Sequence, residues 1–165
     1  MYNKNMLEHK KVSAKDFFLQ LGAMVALYAS AISFTMLIFE YINVLLPDPL
    51  GIGGYYDTYG SFRSIRWSIS LLVVVFPLYV WLNWFLEKSY IKHPERRKIW
   101  IRKWLIYLTL FVAALIIIGN FVTLIYNGLG GELTLRFGLK VITLFFVTGS
   151  VFGYYLWNIK KHKDD

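Results

Sequence analysis

The sequence predicts an all-α, polytopic membrane protein: a bundle of four transmembrane helices forming one domain over residues 1–165. Three observations carry that expectation. The 165-residue chain is 57% hydrophobic and 19% aromatic but only 17% charged, against ~45–50% apolar and ~25% charged in an ordinary soluble domain. Residues 17–39, 67–86, 104–131 and 141–159 contain no charged side chain over runs of 23, 20, 28 and 19 residues, and a helix needs ~20 such residues to cross the ~30 Å hydrocarbon layer. Runs such as Leu71-Leu72-Val73-Val74-Val75-Phe76 lack the alternation of a barrel strand, whereas a helix satisfies its own backbone groups without water.

The first helix is expected over about 14–46. Ser13 followed by Asp16 reads as its N-terminal cap. Lys4, Lys10, Lys11 and Lys15 ahead of it, with Ala29-Ser30-Ala31 inside it, also fit a cleavable leader. Apolar sequence continuing through residue 46 is too long for such a leader and favours a retained span. Gly22, Ala26, Ala29, Ser33, Met36, Glu40 and Asn43 follow steps of four and three, which keeps them on one stripe; small residues there let a second helix approach closely.

The segment 47–61 holds Pro47, Pro49, Gly51, Gly53, Gly54 and Gly60 and reads as an outer loop of turns. The second helix is expected over 63–90, with Arg63, Arg66 and Ser70 near its start and a kink at Pro77, which lacks a backbone donor. His93-Pro94-Glu95 reads as the start of the third helix, 94–126, with proline in the first position and an acid in the first turn. Its series Thr109, Ala113, Ile116, Asn120, Thr123 and Asn127 shares a face, and residues 127–131 form a glycine-rich outer turn. The fourth helix, 133–159, places Arg136, Lys140, Thr143, Val147 and Tyr154 on one face. Gly149 lies about 180° round the helix from Lys140, and with Gly153 it forms a GxxxG pair suited to close packing.

Basic residues set the expected orientation. Fourteen of the 18 Lys and Arg residues fall in the N-terminal tail, the 87–103 segment and the C-terminal tail; both termini are therefore expected in the cytoplasm. Trp81, Trp84, Trp100, Trp104 and Trp157, with Tyr90, Tyr154 and Tyr155, fall near the inner boundary, and Trp67 and Tyr126 near the outer one, as interfacial aromatic rings do. This asymmetry accounts for the net charge of +8 without a nucleic-acid partner; the expected partner is the lipid bilayer.

Chemistry is sparse. There is no cysteine, and His9, His93 and His162 all fall in the expected cytoplasmic segments. No H-E-x-x-H or phosphate-binding glycine loop occurs. No catalytic residue, metal site or cofactor is expected, and the protein is expected not to be an enzyme.

What stands out is charge within the outer half of the spans. Glu40 lies about 9 Å inward of Leu46 and Lys140 about 12 Å inward of Glu132 at 1.5 Å per residue. Embedded charges find partners or water, so Glu40 is expected to pair with Lys140 or Arg136. Asn43, Arg63, Arg66, Asn120 and Thr123 are expected nearby. Arg63, Arg66 and Arg136 can equally snorkel to headgroups, Asn120 and Thr123 can be interhelical hydrogen-bonding residues, and the ion pair can be structural.

The four-helix plan, the segment Pro94-Glu95-Arg96-Arg97-Lys98-Ile99-Trp100-Ile101-Arg102-Lys103, the Gly119-Asn120 pair and Gly130-Gly131-Glu132 before Arg136 resemble a prokaryotic integral membrane family of unknown function, over roughly residues 13–157. The resemblance implies a prokaryotic cell membrane and carries no activity. Two functions are expected from the residues. One is a small channel or transporter with a cationic outer vestibule favouring a small anion. The other is a non-enzymatic structural or interaction subunit that docks a membrane protein partner. Gly22, Ala26, Gly149 and Gly153 are the expected packing or oligomer contacts, with a homo-oligomer, simplest as a dimer, expected.

Overall fold

A computed structural model describes residues 14–46, 56–92, 100–130 and 134–161. The described residues form four helices and no strand: α1 (Ala14–Leu45), α2 (Tyr56–Lys92), α3 (Trp100–Leu129) and α4 (Leu135–Lys161). All four are long and apolar enough to cross a membrane. The fold class is therefore the expected one, and the chain is a multi-pass membrane protein in contact with lipid.

The distribution of polarity supports this. Val73 is 67% exposed, Phe146 68% and Ile118 58%, while Ser68 and Thr109 are each 1% exposed. Water would penalise that arrangement; hydrocarbon favours it, because large apolar side chains gain nothing by hiding from lipid and small polar ones let helices approach. Hydroxyls facing apolar surroundings bond to their own helix one turn back, as Ser30 Oγ does to Ala26 O (2.8 Å) and Ser150 Oγ to Phe146 O (2.7 Å), which removes the cost of an unmade hydrogen bond.

The helices run up and down, and α1 is the hub. It packs antiparallel to α2 and α4 and touches α3. Gly22 meets Leu82 of α2, and a Cβ there would stand 3.8 Å from the Leu82 side chain; Ala23, Leu82, Leu86 and Tyr90 bury each other beside it. Met24 packs with Leu105 and Ile106 of α3 and Tyr155 of α4. No Cα of α2 lies within 8 Å of one in α3 or α4 among the described residues. The bundle is thus open along the α2–α4 side.

Several boundaries differ from expectation. The second helix begins at Tyr56, so the end of the expected outer loop is helical; no proline follows Pro49 before it. The third continues through residues 127–129 and closes with Gly130 N donating to Tyr126 O (3.1 Å). At the fourth, Thr134 is the cap: its Oγ1 accepts from Phe137 N (3.2 Å). Pro77 lies inside α2 without ending it. The Ser13 cap and the Pro94 start lie outside the described residues.

Candidate functional site

At the end of the bundle where α1 finishes and α4 begins, Asn43 joins opposite charges. Its Nδ2 donates to Glu40 Oε2 (3.0 Å), one turn back on α1. Its Oδ1 accepts from Arg136 of α4, from Nε at 3.0 Å and Nη2 at 2.7 Å. The two ends of an amide dipole thus meet an anion and a cation, and charge-assisted bonds are the strong ones. Lys140, one turn along α4, holds its Nζ 5.7 Å from the centre of the Phe39 ring, within cation–π range. Glu40, Asn43, Arg136 and Lys140 are all half-buried. Arg136 stands in the first turn of α4, where the helix dipole disfavours a cation; its contact with α1 offsets that cost.

The connection from Glu40 to Arg136 therefore runs through Asn43, an amide that sequence reading placed only nearby. The other candidates are not drawn in. Arg63 and Arg66 are on α2, lining a separate shallow groove with Met36, Tyr59 and Trp67, because α2 meets α1 on another side. Thr123 is exposed and bonds Gly119 O of its own helix (2.9 Å). Asn120 is half-buried on α3, with a buried Nδ2 that has no hydrogen-bond partner among the described residues.

The expected stripes hold in part. On α1, Ala26 and Ser33 are buried, but Met36 is 55% exposed. A four-and-three repeat drifts ~20° per heptad on a straight helix, which carries the stripe from α2 at Gly22 to α4 at Asn43. On α3, Thr109 and Ala113 are buried while Ile116 is exposed, since α3 meets α1 only near the opposite end. Gly149 and Gly153 are exposed, and a Cβ at either would meet open space, with no neighbouring side chain within 4 Å among the described residues.

A second polar region, at the basic end, was not anticipated. A partly open cavity of about 70 Å³ is lined by all four helices. Gln20 and Tyr90, each 7% exposed, bond across it, the Gln20 amide donating to the Tyr90 hydroxyl. Tyr79 and Asn83 bond one turn apart on α2, and Glu87, Tyr154 and Asn158 complete the polar lining. Deeper in, Thr109 Oγ1 donates to Leu105 O (2.9 Å), leaving it to accept from Tyr28 Oη (2.7 Å).

Of the aromatic residues expected at the inner boundary, Trp81, Trp84, Trp104 and Trp157 are half or more exposed. Tyr90 and Tyr155 are corrections to that expectation. Both are buried, Tyr90 by its bond to Gln20 and Tyr155 by packing on Met24, Leu105 and Ile106. A polar stripe at 79, 83, 87 and 90 on α2, matched by 154 and 158 on α4, was the available signal.

With this geometry in place, the comparisons with known proteins add one match. Residues 16–155 match the family described as a domain of unknown function, DUF5671. No curated protein and no solved structure matches the chain. The chain belongs to the DUF5671 family.

Proposed function

From that membership and the charge network, we propose that the protein is a non-enzymatic membrane protein providing a pathway for a small solute, a channel or transporter that favours an anion. One observation carries the reading: Glu40, Asn43, Arg136 and Lys140 are gathered between α1 and α4, with Glu40 and Lys140 each about 8 Å inside the helix end at 1.5 Å per residue. Within the network two cations, Arg136 and Lys140, stand with one carboxylate, Glu40, a balance that concentrates anions.

The orientation that goes with this reading has both termini in the cytoplasm of a prokaryotic cell, the charge network in the outer half of the cell membrane, and the basic end within. Halide flux into liposomes holding the purified chain is the test. Lys140→Ala and Arg136→Ala are expected to lower flux by about tenfold, the effect of removing ~1.4 kcal/mol of anion stabilisation. Flux equal to that of protein-free liposomes, or unchanged in both variants, overturns the reading.

A second reading, an interaction subunit that docks a homo-oligomer copy or another membrane protein, is favoured by one feature. Gly149 and Gly153 leave open space on the exposed face of α4, where a neighbouring helix can approach closely. Cross-linking through that face, with no flux, would select it.

A further inference from the structure

The basic-end cavity has the opposite charge character to its surroundings. Lys15, Lys88, Lys92, Lys103, Lys160 and Lys161 all stand at this end, yet among the described residues the cavity lining includes Glu87 and no cation. Three of those lysines lie over aromatic rings instead: Lys88 is 5.0 Å from the Trp84 ring, Lys161 5.0 Å from Trp157 and Lys15 5.7 Å from Phe85. The rest of the polar lining consists of amides and phenols, whose oxygens accept hydrogen bonds and whose rings attract cations.

The cavity does not stand alone. Tyr79 also borders an open groove of about 240 Å³ between α2 and α4. Leu27, Ala31, Leu72, Phe76, Phe146 and Val147 line it. Its two serines, Ser30 and Ser150, both turn their hydroxyls onto their own helix, so the surface offered is apolar. The gap exists because α2 and α4 make no backbone approach among the described residues.

We propose that cavity and groove form one site for an ammonium-bearing amphiphile, with its head among Glu87, Asn83, Asn158 and the tyrosines and its alkyl chain between α2 and α4. The ammonium supplies donors for the carboxylate and the amide and phenol oxygens, and its charge suits the aromatic faces. An anionic head would instead meet Glu87. The chain fills the gap left between the α2 and α4 backbones. Two sources share this chemistry: an ethanolamine phospholipid of the bilayer and a free long-chain alkylammonium. The site is independent of the Glu40–Arg136 network and of whether solute flux occurs.

Native mass spectrometry of the full chain in a neutral detergent tests it, with phosphatidylethanolamine, phosphatidylglycerol and dodecylammonium as probes. Retention of phosphatidylethanolamine or the alkylammonium about tenfold above phosphatidylglycerol is expected. Glu87→Gln should reduce that preference by about fivefold, and Val147→Trp should block the groove and abolish retention. Gly149→Leu, on the open face, should leave retention unchanged; circular dichroism confirms helix content in each variant. Phosphatidylethanolamine displaced by the alkylammonium identifies the lipid as a ligand, whereas retention of the alkylammonium alone identifies a free amphiphile. Phosphatidylglycerol held as tightly as both, or a preference unaltered by both Glu87→Gln and Val147→Trp, overturns the proposal.

Discussion

The two ends of this bundle handle polarity in different ways. At one end, Asn43 ties Glu40 on α1 to Arg136 on α4, and few charged atoms do the work of closing two helices together. At the basic end, amides and phenols from α1, α2 and α4, with the single carboxylate of Glu87, surround a cavity that Leu105 and Ile106 of α3 also line, and the α2 backbone stands away from that of α4. A charge held at membrane depth demands a specific partner because leaving it unpaired is expensive. Neutral polar groups tolerate looser company, including a ligand. The Glu40–Arg136 end is therefore built to clamp, and the basic end, whose cavity is lined mostly by uncharged polar groups, is built with room.

Substitutions can break that contrast. The largest effect is expected for Asn43→Leu, which takes the bridging amide from both Glu40 and Arg136: a loss of about 2–3 kcal/mol, the penalty for removing a hydrogen-bond partner from charged groups. Unfolding in mixed micelles measures it, and amphiphile retention at the basic end should persist. Gln20→Leu, which removes the neutral bond to Tyr90, should cost less, about 0.6–1.7 kcal/mol, as for other hydrogen bonds between membrane helices. A cost equal to that of Asn43→Leu would erase the distinction between the ends. Thr109→Val takes the acceptor from Tyr28 and is expected to cost about 0.6 kcal/mol by the same unfolding assay. Gly149→Ala should change stability by less than about 0.5 kcal/mol, since the added methyl meets open space.

Helix number and type were legible because four charge-free runs of span length leave few alternatives. Charged candidates were legible too: Glu40 and Lys140 interrupt apolar sequence. The bridging role of Asn43 was not, because a short amide at i+3 from a glutamate reads as a neighbour until the facing helix is known. Arg63 and Arg66 looked equivalent to Arg136 by depth, and only the side of α1 taken by α2 separates them. The cavity was hidden for a different reason. Tyr90, Tyr154 and Tyr155 sit where interfacial rings belong, so position alone assigned them to lipid. Burial of two of them depends on which helices touch, and the separation of the α2 and α4 backbones among the described residues is a tertiary fact that no local pattern records.

That separation is the central claim, and the absence of native cysteine makes it directly measurable. A disulfide requires Cα atoms within about 7 Å. In bilayers, the paired substitutions Phe76→Cys with Val147→Cys, and Tyr79→Cys with Tyr154→Cys, should form no intramolecular disulfide under oxidant. Gly22→Cys with Leu82→Cys, across the packed α1–α2 contact, should cross-link in the same bilayers with a short bismaleimide. Rapid disulfide formation in either α2–α4 pair would show those helices packed together and would contradict the account.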